Sequence, residues 1–210
     1  MTAQPFTSYS VARLQQDFHK GNTILGILLT STNRAINEDH LKGMVNNAYA
    51  GAIDFEQYFL NRNYFIRGIL QYSYVEGDKR SITNLQESPV HYYQREGVTH
   101  LGVDSSRTNL TGNAGYIILG KRGSNAKIIS EQRFLWATPG FDINNLGYLQ
   151  KADYKNFNGF VGYSETKPQG IFNRCFFDVF YQYQTDFSNQ PLFGRVGSEA
   201  SFIFKNNYYA

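Results

Sequence analysis

The stretch YFIRGILQYSYVE, residues 64–76, decides the fold class of this chain. Every second position is apolar or aromatic, at Tyr64, Ile66, Leu70, Tyr72 and Tyr74, with Gly68 among them. A period of two places these side chains on one face of a β-strand, with Arg67, Gln71 and Ser73 on the other. The strand therefore has one apolar face and one hydrated face. The apolar face predicts contact either with the core of a soluble β-protein or with lipid.

The composition favours β-structure and excludes several classes of protein. Aromatic residues make up 16% of the 210 residues and charged residues 18%, and aromatic side chains suit a pleated surface. The net charge of +3 is spread along the chain, so no nucleic-acid partner is expected. The one cysteine, Cys175, excludes an internal disulfide. The sequence contains no apolar run long enough for a membrane helix.

The same alternation predicts a series of long strands. They are expected at 7–18, 23–32, 48–60, 64–76, 110–121, 126–136, 158–166, 171–184 and 193–206. Most of them match the ~9–11 residues of a tilted membrane strand and exceed the ~5–6 residues typical of soluble domains.

The connections between the predicted strands alternate in length. Short links at 19–22, 61–63, 122–125 and 167–170 alternate with longer ones at 33–47, 77–109, 137–157 and 185–192. In an up-and-down meander, alternate connections lie at opposite ends, and outer-membrane barrels keep their short turns at one end. The predicted fold is therefore all-β: an antiparallel up-and-down meander forming a transmembrane β-barrel or a partial barrel, with long loops at one end. We expect one domain over residues 1–210.

The face opposite the apolar one carries charges of both signs in mid-strand. On the barrel interpretation these residues form a polar network in the lumen: Asp54, Glu56, Arg67, Lys127, Glu131, Arg133 and Asp178. A two-residue turn at 62–63 would pair Phe55 with Leu70. It would also leave Glu56 diagonal to Arg67. On a sandwich the charged face would meet bulk water, so both interpretations stay open, and the sorting of the loops favours the barrel.

Few residues are candidates for catalysis or for metal binding. The histidines His19, His40, His91 and His100 lack metal-ligand spacing and are expected to be exposed loop residues. No metal and no other cofactor is predicted. Two lumen carboxylates could form a glycosidase pair, but ion pairing in a polar lumen is the favoured interpretation, so no catalytic residue is assigned.

The longest predicted loop holds the candidates for contact with a ligand. They are His91, Tyr92, Tyr93 and Arg95. Loops carry binding residues more often than strands do, although loop aromatics also pack the loop itself. The segment 79–95 does not alternate, so it is expected to form a short helix or an ordered loop folded over the barrel mouth.

Three stretches resemble a known family: RLQQDFHKGNTILGILLTSTNR (13–34), HLGVDSSRTNLTGNAGYIILGKRG (100–123) and TPGFDINNLGYLQKADY (138–154). Together they are similar to the C-terminal β-barrel domain of DUF5916, a bacterial outer-membrane family of unknown function. Its members usually carry an N-terminal carbohydrate-binding family-9-like domain. The resemblance covers residues 9–205 and brings no catalytic residues.

This resemblance implies a location in the outer membrane of a Gram-negative bacterium, with the lipid bilayer as partner. It also implies a link to glycans or small solutes and to other outer-membrane proteins. The resemblance does not extend to a carbohydrate-binding-like domain within these 210 residues, about nine strands are expected, and single-chain barrels close with even numbers of strands. We therefore expect a fragment of a larger barrel.

The predicted function is that of a non-enzymatic outer-membrane barrel segment with a polar lumen. Its role would be passage of small solutes or glycans, or scaffolding of a surface complex. The alternative is a soluble β-sandwich or curved sheet that binds carbohydrate. A glycan-active enzyme working through lumen carboxylates is the third hypothesis.

Overall fold

The protein folds into one antiparallel β-sheet with a short helix at one end. The computed structural model describes residues 4–123 and 126–209. The strands are β1 Phe6–Phe18, β2 Thr23–Ala35, β3 Val45–Phe59, β4 Tyr64–Gly77, β5 Asn109–Lys121, β6 Ile128–Ala137, β7 Tyr154–Glu165, β8 Phe172–Thr185 and β9 Pro191–Phe204. Helix α1 spans Lys79–Glu87, and 3-10 turns span His19–Gly21 and Asp39–Leu41. The predicted strands are confirmed, with bounds that differ by a few residues.

The strands follow one another across the sheet in chain order. Each strand pairs antiparallel with the next, from β1–β2 to β8–β9. Within the described ranges β1 and β9 do not pair with each other, so the sheet is open. The all-β up-and-down meander is confirmed. Of the two soluble alternatives, the β-sandwich is wrong, because the described strands form one sheet and a sandwich packs two, whereas a single curved sheet fits this topology.

The connections are sorted between the two ends of the sheet. The turn end carries the connections 19–22, 60–63 and 166–171 and the described residues 122–123 and 126–127. The loop end carries 36–44, 78–108, 138–153 and 186–190. The connection 186–190 is as short as the turns at the opposite end, so the sorting by length fails at this last loop. None of the helices in the described ranges is both long and apolar enough to cross a membrane.

The β3–β4 hairpin has a different register from the one expected. Phe55 faces Gly68 and Leu70 faces Ile53, a shift of two residues. The expected two-residue turn is wrong because the loop spans 60–63, with positive φ at residues 60, 61 and 62. The even shift leaves every side chain on its expected face. It also places Glu56 directly opposite Arg67, not diagonal to it.

The two faces of the sheet differ in charge. We call one the apolar face, because its large side chains remain about half exposed across the sheet: Leu25, Ile27, Ile53, Leu70, Ile117, Leu119, Phe157, Val161, Phe177 and Val179. Charged residues on this face of the described strands lie only near strand ends: Glu76, Lys121, Lys155 and Glu165. The polar face is the opposite one, and it carries charges in mid-strand.

The buried apolar core lies almost entirely at the loop end. Ile82 of α1 is fully buried and packs with Val45, Ala48 and Val75 of the sheet. Helix α1 begins where the Asp78 side chain accepts a hydrogen bond from the Arg80 amide at 3.0 Å. A second cluster brings the loop 138–153 onto the sheet through three residues: Phe141, Ala114 and Ala137. The segment 79–95, predicted as a short helix or an ordered loop, is thus a helix over 79–87 that packs on the sheet and a loop with turns over 88–95.

Candidate functional site

The first ion pair of the polar face joins β1 to β3 across β2. The Arg13 guanidinium donates hydrogen bonds to both carboxylate oxygens of Asp54, one of them from Nη2 to Oδ1 at 2.9 Å. A Cβ at Gly26 would lie 2.5 Å from Arg13 Nη2 and 2.6 Å from Asp54 Oδ2. Gly26 of β2 therefore leaves the space in which the pair meets.

Two further carboxylates on this face are also held by cations. Glu56 lies 3.1 Å from Arg67 Nη2 and accepts a hydrogen bond from the Tyr58 hydroxyl at 2.5 Å. Glu131 is almost fully buried and accepts a 2.5 Å hydrogen bond from Arg133 Nε. Arg122 approaches the other oxygen of Glu131 at 3.4 Å. Five of the residues expected in a polar network thus form ion pairs on one face: Asp54, Glu56, Arg67, Glu131 and Arg133.

Neither of the other two residues of the expected network forms an ion pair with these five within the described part of the chain. Lys127 precedes β6, and its Nζ lies 2.8 Å from a Glu165 carboxylate oxygen at the turn end, away from Glu131. Asp178 of β8 lies on the polar face directly opposite Glu199 of β9. Its Oδ1 is buried and has no hydrogen-bond partner among the described residues. The structure therefore brings together most, not all, of the predicted set.

Two of the cations in these pairs, Arg13 and Arg122, are not among the residues predicted from the sequence. Arg13 follows the same alternation as Gln15 and Asp17 on β1, so the period of two was sufficient to place it on the polar face. Arg122 lies just beyond the end of β5, where alternation gives no information.

The loop end holds a second polar cluster, which we call the loop cap: residues 78–108, 138–153 and 186–190. His91 is 1% exposed. Its Nδ1 lies 2.8 Å from the Pro139 carbonyl oxygen, and its Nε2 lies 3.0 Å from Asp142 Oδ2. The Asp142 amide in turn donates to Ser73 Oγ of β4 at 2.9 Å. These hydrogen bonds connect the loop 78–108 to the loop 138–153, and the loop 138–153 to the sheet.

Arg95 joins all three segments of the loop cap. Its guanidinium binds the Asp153 carboxylate and lies 3.5 Å from Asp186 Oδ2. His100 Nε2 lies 3.1 Å from each oxygen of Asp153, whose side chain is fully buried. Burial acts to raise the pKa of Asp186, but hydrogen bonds from Ser188 and from the Gln190 amide outweigh it and hold that pKa below its usual range. These ion pairs balance the buried charges and hold the three segments of the loop cap together. We call the cluster an ion-paired lock.

The expectation that the histidines are exposed is correct for two of them and wrong for His91. His19 and His40 are exposed. His91 is buried because the Pro139 carbonyl and the Asp142 carboxylate engage both of its ring nitrogens. His100 is about four-fifths buried. The sequence could not pair these histidines with their aspartates, since their partners lie about 50 residues away in loops of irregular shape.

The side chains of His100, Asp153 and Asp186 offer ligand atoms that all lie within 4.8 Å of one another. This arrangement has the donor types of a metal site. The Arg95 guanidinium already binds the two carboxylates, so a cation would have to displace it. The geometry therefore favours an ion-paired lock over a metal centre.

The four loop residues expected to contact a ligand divide into two groups. His91 and Tyr93 are buried, and their rings meet edge to face with centroids 6.2 Å apart. Burial raises the pKa of the Tyr93 hydroxyl to about 12. Arg95 is engaged by carboxylates, while Tyr92 is 51% exposed. The geometry gives His91, Tyr93 and Arg95 packing and locking roles and leaves Tyr92 open to solvent.

The fold and these clusters define a protein class: an open antiparallel β-meander with an apolar face, an ion-paired polar face and a packed loop cap. The model of the family described as a domain of unknown function, DUF5916, matches residues 1–210. The chain therefore belongs to this family. No curated protein and no solved structure matches the chain at a significant level.

Proposed function

We propose that this chain forms wall strands of a transmembrane β-barrel in the outer membrane of a Gram-negative bacterium. The apolar face meets lipid, and the polar face lines a water-filled lumen through which small polar solutes pass. Further strands pair with the free edges of β1 and β9, since an open sheet edge is not tolerated in the hydrocarbon region. The loop cap lies over the mouth of the barrel.

One observation carries this proposal: the apolar face is exposed across the sheet and carries charge only near strand ends. Leu70 is 56% exposed and Ile53 58% exposed, and neither is covered by any other part of the described chain. Soluble monomers rarely expose apolar patches of more than a few hundred Å². A barrel wall requires this pattern, with an apolar band on the lipid side and polar residues on the lumen side.

The aromatic residues of the apolar face support the same orientation. Tyr49, Tyr72 and Trp136 lie towards the loop end, and Tyr64 and Tyr163 lie towards the turn end. Aliphatic residues such as Leu70 lie between them. Barrels carry girdles of aromatic residues at both membrane interfaces because these side chains are amphipathic.

The proposal is tested by the membrane behaviour of the native protein. We expect it to be extracted only with detergent and to change its gel migration on boiling, as closed barrels do. A monomer that stays soluble without detergent would refute the proposal, because the apolar face would then need a different cover.

A further inference from the structure

We infer that the lumen side of β7 and β8 holds a binding site for a neutral oligosaccharide. The site, which we call the amide pocket, lies between these strands and the loop 138–153 and has a volume of about 610 Å³. Six of its residues carry the argument: Tyr148, Gln150, Asn156, Asn158, Gln182 and Gln184. Its volume falls within the ~300–1,000 Å³ of small-molecule pockets.

The strand register builds the amide pocket from two successive rows. Asn156 of β7 faces Gln184 of β8, and Asn158 faces Gln182. Asn158 Nδ2 donates to Asn156 Oδ1 at 2.7 Å, and Asn156 Nδ2 donates to Gln184 Oε1 at 3.2 Å. Residues two apart share a face of a strand, so all four amides point to the polar face.

These amides retain unused hydrogen-bonding groups. Each amide offers two donors and an acceptor oxygen, and the chain of two bonds engages only part of them. No hydrogen bond engages the Gln182 side chain within the described part of the protein. Gln150 Nε2 donates to the Tyr148 hydroxyl at 3.0 Å, which leaves its amide oxygen open. The pocket therefore presents donors and acceptors side by side.

This chemistry selects a neutral, hydroxyl-rich ligand. A hydroxyl both donates and accepts, as an amide does, so the two match without any charge. Of the described residues on the lining, Lys151 alone is charged, whereas Arg133, Asp178, Arg195 and Glu199 line the neighbouring depression on the polar face. A cationic ligand would meet no carboxylate among the described lining residues, and an anionic ligand would meet Lys151 in place of the mixed charges of the neighbouring depression. The Tyr148 ring is 78% exposed and offers an apolar surface to the carbon face of a sugar ring.

The inference rests on the proposed function, because it places the amide pocket on the lumen wall. The barrel proposal and the inference of a sugar-binding pocket can still be refuted independently. Membrane extraction tests the barrel, and ligand titration in detergent tests the pocket. Oligosaccharide binding by a protein that needs no detergent would retain the pocket and refute the barrel.

The test is calorimetric titration of the native protein with maltohexaose and cellohexaose, alongside an oligogalacturonate of the same length and tetraglycine. We expect at least one neutral hexasaccharide to bind, and the anionic sugar and the peptide not to bind. The Gln182→Met variant removes an amide that has no internal partner, so it should fold normally and weaken binding about fivefold. Tyr148→Ala, in an exposed loop position, should weaken binding by a similar factor.

The matched control is Gln71→Met, the same change on the polar face of β4, outside the amide pocket. It should leave the affinity unchanged. Absence of binding by both neutral hexasaccharides, or equal affinity of the wild-type and Gln182→Met proteins, would overturn the inference. Binding of tetraglycine in place of the sugars would overturn the assignment to carbohydrate.

Discussion

Replacement of Leu70 by arginine tests whether this side chain faces lipid or water. The Leu70 side chain is 56% exposed at the centre of the apolar face, where its direct neighbours are Ile53 and Gly115. At such a position in a soluble protein, an arginine would change the free energy of unfolding by at most ~0.5 kcal/mol. At the midplane of a bilayer the same change costs ~2–4 kcal/mol. The latter figure corresponds to roughly a 30- to 700-fold shift in the folding equilibrium.

The assay is folding of the purified native protein into lipid vesicles, followed by urea titration and gel migration without boiling. We expect Leu70→Arg to lower the folded fraction and the urea midpoint. The control is Gln71→Arg, one residue further along β4 on the polar face, which should fold nearly as well as the wild-type protein. Equal stability of the two variants would refute the lipid contact of Leu70. So would a stronger effect of the control.

Three further predictions concern the loop cap. Asp153→Asn leaves Arg95 without its main carboxylate partner, so the free energy of opening the loop 78–108 should fall by up to ~3 kcal/mol and its amides should exchange faster. Unchanged exchange rates would show that this ion pair does not hold the loops together. Because the pKa of Asp186 is lower in the folded protein than in the unfolded chain, its carboxylate stabilises the fold fully above pH ~4. This stabilisation is lost as the pH falls through the pKa of the folded state. Protection of the 186–190 amides against hydrogen exchange should therefore persist at pH ~5 and fall below pH ~4. Protection lost already at pH 6 would disprove this assignment. Gly112→Ala would bring a Cβ within 2.2 Å of the Phe141 amide nitrogen, so protease should cut 138–153 faster, at a cost of ~1–3 kcal/mol; wild-type cleavage rates would show that the loop can move aside.

The strands and their faces could be predicted because alternation depends only on local sequence. Alternation places Leu70, Ile53 and Phe55 on the correct face of the sheet, although the predicted register of the β3–β4 hairpin is wrong by two residues. The register depends on the loop 60–63, where three successive residues adopt positive φ, and no sequence rule for two-residue turns anticipates that conformation.

The loop cap could not be predicted for a different physical reason. The contacts of His91 with Asp142 and of His100 with Asp153 join loops that are distant in sequence and have no periodicity.

The amide pocket could be predicted in part. Gln182 and Gln184 alternate visibly on a predicted strand, but the predicted strand at 158–166 begins too late to include Asn156.

The distribution of buried apolar residues bears on what stabilises the sheet. At the loop end, Ile82 of α1 and Phe141 of the loop 138–153 are buried against the sheet. Towards the turn end Phe65 is the large apolar side chain that the described chain buries, beside Gly120. In water, most of the sheet would thus lack the burial that offsets the conformational entropy of its ordered residues. In a bilayer the same strands gain stability twice, because lipid covers the apolar face and the absence of water favours every backbone hydrogen bond of the ladder. The concentration of the buried core at the loop end is therefore a physical argument for the proposed barrel that is independent of the charge pattern.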